Sequence, residues 1–556
     1  MQRWRINIVL TFITIFSALI IGRLVYIQVI NHQYWQALAQ GQQKFFVSLE
    51  GERGEIFFKD GAPLAKNYSF DLVYAAPPEV ENPEDTAKAL GSTLNLPEDL
   101  ILEKLQSGTF YELLKKRLSE EELGKLKEMN LPGIHLGKEV KRYYPFESML
   151  AQTVGFVGGD NKGQYGLEGF YDDILRGADG ILQKEKGPGG YFINNFGKPL
   201  ENGADVVLTL DYNVQFFAEK LLGEAKENLD IEKGEIIVLD PNSGEIMALA
   251  NFPSFNLNEY SQIASLDIFK NSSMHELFEP GSVFKPITMA AALNQGKITP
   301  KTTYVDEGAV KIGTYTIRNY DNRVWGERTM SEVLEKSINT GAVFVQEELG
   351  HDLFLEYVER FGFFEPTGVD LQGEVFSQNR EFRKGYEINF ATASFGQGIE
   401  LTSFQLARAY SVIANGGKLI RPFLVKRILD NGKIIEVKPQ AQDSSVFSES
   451  SASQLTLMLV STVDNGFSGR AKIPGYYVAG KTGTAQIPYE DKRGYYEDRT
   501  IQSFVGFAPA LDPQFLILVK LYNPKARTAE YSAVPIFREM AKYLIDYLQI
   551  PPDYDK

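Results

Sequence analysis

Three different spacings of apolar residues run along this chain, and each predicts a different kind of element. The first stretch has no polar face. Residues 6–21 are uncharged and mostly apolar, and residues 24–30 continue the run after Gly22-Arg23. A membrane span needs about 20 such residues, so residues 6–30 predict one transmembrane helix, with Arg23 snorkelling to the interface. Helical spacing follows later: Val214, Phe217, Ala218, Leu221, Leu222 and Ala225 form one stripe behind Asp211, the expected N-cap. Short apolar runs predict strands over 235–239 and 245–250, joined through Asp240-Pro241-Asn242-Ser243-Gly244. The same signal recurs over 476–481, 501–507 and 515–521, and an amphipathic helix is expected over 534–548.

A helix and two strands at one end, with three strands and a helix at the other, predict a single sheet closed across a long helical insertion, residues 252–415. A hairpin with an Asn431-Gly432 turn, between 423–429 and 433–437, follows it. Residues 32–205 have another texture, rich in glycine, charge and short strands. There we expect a helical stretch near 97–129, a strand, turn and return over 52–65 with the turn at Lys59-Asp60-Gly61, and a short amphipathic helix within 163–180. The Ser-rich residues 443–453 read as a surface loop, and 488–500 as a long charged loop able to gate a nearby site. The fold class is α+β in three parts: residues 1–31 as cytoplasmic tip and transmembrane anchor, 32–205 as an irregular scaffold, and 206–556 as the catalytic part.

Composition narrows the function. At 556 residues the chain is too long for one ordinary domain. A formal charge of −15 argues against nucleic acid, and an acidic chain reaches an anionic membrane only through a hydrophobic span. With no cysteine, disulfides, thiolate metal sites and cysteine nucleophiles are all excluded. The four histidines, at 32, 135, 275 and 351, show no ligand spacing and leave few bases for a Ser-His-Asp triad. Arg3 and Arg5 before the span place the N-terminus in the cytoplasm and the remainder outside. A cleaved signal peptide is the competing reading, but no small-residue cleavage site follows the apolar run closely.

Chemistry enters with three short motifs. Ser282-Val283-Phe284-Lys285 is the chain's only Ser-x-x-Lys, and at i and i+3 on a helix opening its hydroxyl and amine share a face. A serine needs a base, and a lysine serves when burial and positive neighbours lower its pKa. Alone the pattern also fits an N-cap beside a surface charge. Ser-x-Asn occurs at 254, 337 and 377; order along the chain favours Ser337-Ile338-Asn339, behind a capping box of Thr329 and Glu332. Ser337 can relay a proton and Asn339 can bind a substrate amide; an ordinary polar loop is the plainer reading. Lys481-Thr482-Gly483 is unique in the chain, and Thr484 follows it. Its glycine permits close approach to a strand edge, Lys481 helps keep Lys285 neutral and attracts a carboxylate, and the N–H groups of Ser282 and Thr484 make an oxyanion hole. Ser-x-x-Lys, Ser-x-Asn and Lys-Thr-Gly in this order are a known acyl-serine set.

With Glu279-Pro280-Gly281-Ser282, Ser337-Ile338-Asn339-Thr340-Gly341, Gly396-Gln397-Gly398 and Gly480-Lys481-Thr482-Gly483-Thr484, the chain resembles the class B penicillin-binding proteins. Asn251-Phe252-Pro253 and Ala393-Ser394-Phe395-Gly396 are more similar to the division-type (FtsI) branch than to the elongation branch. The resemblance implies a membrane anchor, an elongated pedestal over 32–205 and a β-lactamase-like transpeptidase domain over 206–556, an antiparallel sheet flanked by helices. It implies cross-linking of peptidoglycan stem peptides ending in D-Ala-D-Ala, acylation by β-lactam antibiotics, a SEDS-type glycan polymerase with division or elongation proteins as partners, and no metal or organic cofactor. Carried over by position, Ser282 is the nucleophile, Lys285 its base, Ser337, Asn339 and Lys481 catalytic, and Thr482, Gly483 and Thr484 substrate-binding. Arg53, Gly54 and Glu168 are structural residues of the pedestal, with Arg53 and Glu168 expected to pair. Two other uses of the motifs stay open: a D,D-carboxypeptidase, or a silent β-lactam-sensing or scaffold protein.

Overall fold

A computed structural model describes residues 3–30, 44–49, 51–109, 111–178, 180–186, 192–198, 200–441, 445–489 and 494–555. It divides into two compact units, residues 1–54 with 176–203, and residues 55–175 with 204–556. In the first unit, helix Arg3–Val25 passes into a π-helical turn, Tyr26–Ile30. Within it Asn7–Val29, 23 residues of mean hydropathy 2.4, is long and apolar enough to cross a membrane. The unit also holds an antiparallel sheet of Lys44–Leu49, Gly180–Lys186 and Phe192–Lys198.

The second unit is built on two sheets. The larger has seven strands and joins the scaffold to the catalytic part. Ile56–Phe57 pairs with Pro63–Ala75 through the expected turn and lies parallel to Asp205–Leu208, which continues into Val425–Asp430 and Lys433–Glu436. Asn431 and Gly432 both have positive φ (47° and 83°), as the expected tight hairpin requires. Asp370 accepts from Leu424 N, Val425 N and the Tyr171 hydroxyl, tying scaffold to hairpin.

The expected helical stretch over 97–129 is interrupted. Strand Glu112–Lys116 separates helix Glu98–Leu105 from Glu120–Met129, and a further helix, Pro83–Leu94, precedes them. The cause is Leu114, which buries against Leu90, Leu94 and Leu105 while its strand pairs with residues 72–75. Glu168 is fully buried and accepts the Nε–H of Arg142 at 2.6 Å and the Tyr144 hydroxyl at 3.3 Å. Breaking a buried pair strands a charge, so Glu168→Ala is expected to destabilise the fold by about 3–5 kcal/mol; thermal unfolding reads this directly.

The smaller sheet is antiparallel, in the order Ile246–Phe252, Lys233–Leu239, Phe515–Tyr522, Tyr495–Ala508, Ala479–Pro488. It is the sheet expected to close across the insertion. Helices Tyr212–Leu229 and Ala533–Tyr547 pack on one face through Val214, Ala218, Phe537 and Met540, and Asp211 caps the first as expected. Helix Lys285–Asn294 lies within the larger core on the other side.

Two further expectations change. Of residues 488–500, Pro488 and 495–500 are strand, because Tyr495–Ala508 begins pairing at Tyr495 opposite Pro488; residues 490–493 lie outside the described residues. In the Ser-rich patch, residues 445–448 are irregular as expected, but 449–453 open a helix, Glu449–Asn465, with Ser448 accepting from Ser451 N and Leu455, Met458 and Leu459 buried; residues 442–444 lie outside the described residues.

Candidate active site

The nucleophile candidate sits on a tight turn. Gly281–Phe284 is one 3-10 turn that leads into helix Lys285–Asn294. Pro286 falls in the first helical turn, where its missing N–H leaves no bond unmade. Gly281 N donates to Gly396 O at 3.0 Å, and a Cβ on Gly396 would lie 2.2 Å from Gly281 O. Only glycine lets these two backbones meet. The Tyr410 hydroxyl donates to Val283 O at 2.8 Å from below.

Lys285 is completely buried. Its Nζ lies 3.0 Å from Ser282 Oγ, 2.6 Å from Ser337 O, 2.8 Å from Asn339 Oδ1 and 3.1 Å from Ser337 Oγ. Burial, and next the positive charge of Lys481, push its pKa well below the ordinary lysine value. A neutral amine has two N–H groups and a lone pair. The two carbonyl oxygens, which only accept, take the two hydrogens, so the lone pair faces the hydroxyls of Ser282 and Ser337. This arrangement can draw the proton from Ser282.

The second motif is held in a strained turn. Ser337 has φ 53°, a conformation costing about 1–3 kcal/mol for a side-chain-bearing residue. It follows helix Met330–Glu335, which opens with the expected capping box of Thr329 and Glu332. Asp306 anchors the far side of this turn, accepting from Gly308 N, Asn319 Nδ2, Trp325 N and the Thr340 hydroxyl, the last at 2.6 Å. Asn319 Oδ1 in turn accepts from Asn339 N and Thr340 N, and Asn339 Nδ2 donates to Arg318 O. Both ends of the Asn339 amide are therefore engaged within the protein. We expect Thr340→Val to slow acylation by about tenfold to 100-fold through misplacement of Asn339, measured with a chromogenic β-lactam.

Lys481 is also buried, on strand Ala479–Pro488. Its Nζ is 3.0 Å from Ser337 Oγ, so Ser337 stands between the two amines, and it also donates to Thr482 O and Oγ1. Gly483 brings the strand against the nucleophile turn: a Cβ there would fall 2.5 Å from Ser503 Oγ and 3.1 Å from Pro280 O. The Thr484 hydroxyl accepts from Ala529 N at 3.3 Å.

Burial lowers the Lys481 pKa from 10.5 to about 7. The unfolded chain then binds the proton more tightly than the folded one, and folding stability should rise as pH climbs from about 7 to 10.5. Below that window both states are protonated and the cost is complete. Lys481→Met should unfold at higher temperature than the parent at pH 6 and lose this part of the pH slope, a comparison for calorimetry across pH.

Sequence reasoning missed the Asp306–Asn319–Thr340 set, and also the clasp in which Glu279 accepts from Gly398 N and the Tyr495 hydroxyl. Neither has a spacing signal, because each joins residues from separate elements.

The chain matches the penicillin-binding protein dimerisation domain over residues 48–208 and the penicillin binding protein transpeptidase domain over residues 234–542. It is 32% identical to stage V sporulation protein D of Bacillus subtilis, across 99% of this chain and 86% of that one. Identity to peptidoglycan D,D-transpeptidase FtsI of Escherichia coli K12 is 29%, across 99% and 93%. Among solved structures, a peptidoglycan synthetase from Bifidobacterium adolescentis superposes with a TM-score of 0.75 at 25% identity, covering 92% of this chain and 98% of that one. Matched along nearly its whole length, and carrying all three motifs around one buried amine, the chain belongs to the penicillin-binding protein family as a class B member of the FtsI type.

Proposed function

We propose that the protein is a peptidoglycan D,D-transpeptidase that works through an acyl-enzyme on Ser282 and is acylated there by β-lactams. The observation that carries this reading is the placement of Lys285 Nζ, 3.0 Å from Ser282 Oγ with two carbonyl acceptors fixing its hydrogens. Ser282 Oγ attacks the carbonyl of the penultimate D-Ala as Lys285 takes its proton. The oxyanion forms opposite the N–H groups of Ser282 and Thr484. The proton passes through Ser337 Oγ to the departing amine, the C–N bond breaks, and D-Ala leaves. An amine of a neighbouring stem then attacks the ester, and Ser282 regains its proton. Lys481, Thr482 and Thr484 hold the terminal carboxylate, Gly483 lets the substrate backbone lie along the strand, and Asn339 acts by holding Lys285.

The apolar helix anchors the protein, with Arg3 and Arg5 on the cytoplasmic side and the site outside. We divide the chain into residues 1–31 as anchor, 32–205 as pedestal and 206–556 as transpeptidase domain, and assign Arg53, Gly54 and Glu168 to holding the pedestal together. A glycan-polymerising membrane enzyme of the SEDS type, working in division or elongation, is the expected partner through anchor and pedestal.

Full-length protein in detergent, given polymerised glycan with pentapeptide stems, should release D-Ala in step with cross-link formation. D-Ala without cross-links would make it a carboxypeptidase, and neither product would reject the reading.

A further inference from the structure

The scaffold carries a sheet face that none of these functions uses. In the three strands Pro63–Ala75, Glu112–Lys116 and Ile134–Tyr143, one face is covered: Val73, Ala75 and Leu114 bury against helical residues including Leu90, Leu94 and Leu105. The opposite face carries Lys66, Tyr68, Phe70, Leu72 and Tyr74 from the long strand, directly across from Tyr143, Lys141, Glu139, Gly137 and His135. Tyr68, Tyr111 and Tyr143 stay 49%, 54% and 38% exposed, while Leu72 between the two ends is buried.

Two groups of rings lie along this face. Tyr68 contacts Phe70 and Tyr143 with centroids 4.8 and 6.2 Å away, and Tyr74 contacts Tyr111 and His135 at 4.8 and 5.3 Å. From Tyr68 to Tyr74 the strand rises by about 20 Å. Gly137 keeps the middle low: a Cβ there would meet Leu72 Cδ1 at 3.0 Å. Cations lie beside the first group of rings. Lys66 lies over Tyr143 and Arg117 over Phe70, while Lys116 and Lys141 share Glu139, at 2.7 and 3.9 Å. Four cations thus face one carboxylate on a chain whose formal charge is −15, with Glu79 bonded to His135 at the far edge.

We propose that this face binds a β-1,4-linked glycan strand bearing carboxylates, the peptide-free form of the same polymer, in which amidase cleavage has exposed the lactyl carboxylates. The inference rests on the transpeptidase reading for the identity of the polymer, but not on Ser282. Ring faces are electronegative at their centres and suit the polarised C–H faces of pyranoses. Two separate ring groups, one of them bordered by cations, do not make the dry apolar core that a stable protein interface needs. The cations match the lactyl carboxylates that recur along such a strand.

The test uses full-length protein in detergent and denuded glycan strands, from which an amidase has removed the stem peptides and left the lactyl carboxylates free. Such strands offer nothing to Ser282, so the transpeptidase reading and this one fail separately. Tyr68→Ala/Tyr143→Ala is expected to weaken binding by about tenfold while leaving β-lactam acylation unchanged. Lys66→Gln/Lys141→Gln should lower affinity severalfold at low salt and flatten its salt dependence. Chitin oligomers, which lack the carboxylates, should bind more weakly and ignore the lysine change. No measurable binding to denuded strands, or equal affinity in the tyrosine variant, overturns the proposal. So does a tyrosine variant that keeps its glycan affinity but loses a bound protein, which would make the face a protein interface.

Discussion

Replacing Ser282 with alanine is expected to abolish D-Ala release and β-lactam acylation, a loss of about 10⁴-fold or more. Among the described residues, the hydroxyl is the only nucleophilic atom that Lys285 Nζ reaches besides Ser337 Oγ. Ser337 Oγ is held between two amines, 3.1 Å from one and 3.0 Å from the other, in a strained turn, which suits a relay and not an attack. Ser282 itself is partly exposed near the start of its turn, so alanine removes the reacting atom without opening a cavity. The melting temperature should stay within a degree or two of the parent, and a gel assay with a fluorescent penicillin reads the loss.

Lys285→Met is expected to cost about 10²–10⁴-fold in acylation, the range for removal of a positioned general base, and to raise the melting temperature. Both effects have one origin. A completely buried amine is costly to charge, and Lys481 adds like-charge repulsion, so the folded state disfavours the ammonium form. In the parent, acylation should rise with pH through the depressed pKa of Lys285 and then level, since only the free amine accepts the proton. Stability should rise with pH over the interval from that pKa to the ordinary value of 10.5, because the unfolded chain binds the proton there and the folded chain does not. Methionine fills nearly the same volume without charge, so the variant should lose the acylation limb and much of the stability slope together. Acylation rates and calorimetry across pH on the same two proteins separate this from simple misfolding, which would lower the melting temperature.

Local spacing is the part of the molecule that was legible in the sequence. Ser282 and Lys285 share a turn because they are three residues apart, and the Thr329–Glu332 capping box marks the helix that delivers Ser337. Strand placement was coarser. The third-motif strand starts at Ala479 and not at 476, since Tyr476 is drawn away by its hydroxyl bond to Ile550 O. Charged residues hid the start of the next strand, where Tyr495 is pinned by Glu279 from the nucleophile loop. The Asp306 network was illegible for the same reason: Asp306 reaches Asn319 and Thr340, 13 and 34 residues away, through contacts that leave no periodic trace. The shared seven-stranded sheet likewise pairs Asp205–Leu208 with a hairpin more than 200 residues later, which no local pattern announces.

The transpeptidase assignment stands on the covalent chemistry of one atom, and mass spectrometry addresses that atom directly. Full-length protein incubated with benzylpenicillin and digested should carry a single penicilloyl adduct, on the peptide containing Ser282, lost slowly on standing. An adduct on any other residue, or none at Ser282 while another site is labelled, would contradict the assignment of Ser282 and Lys285 as nucleophile and base.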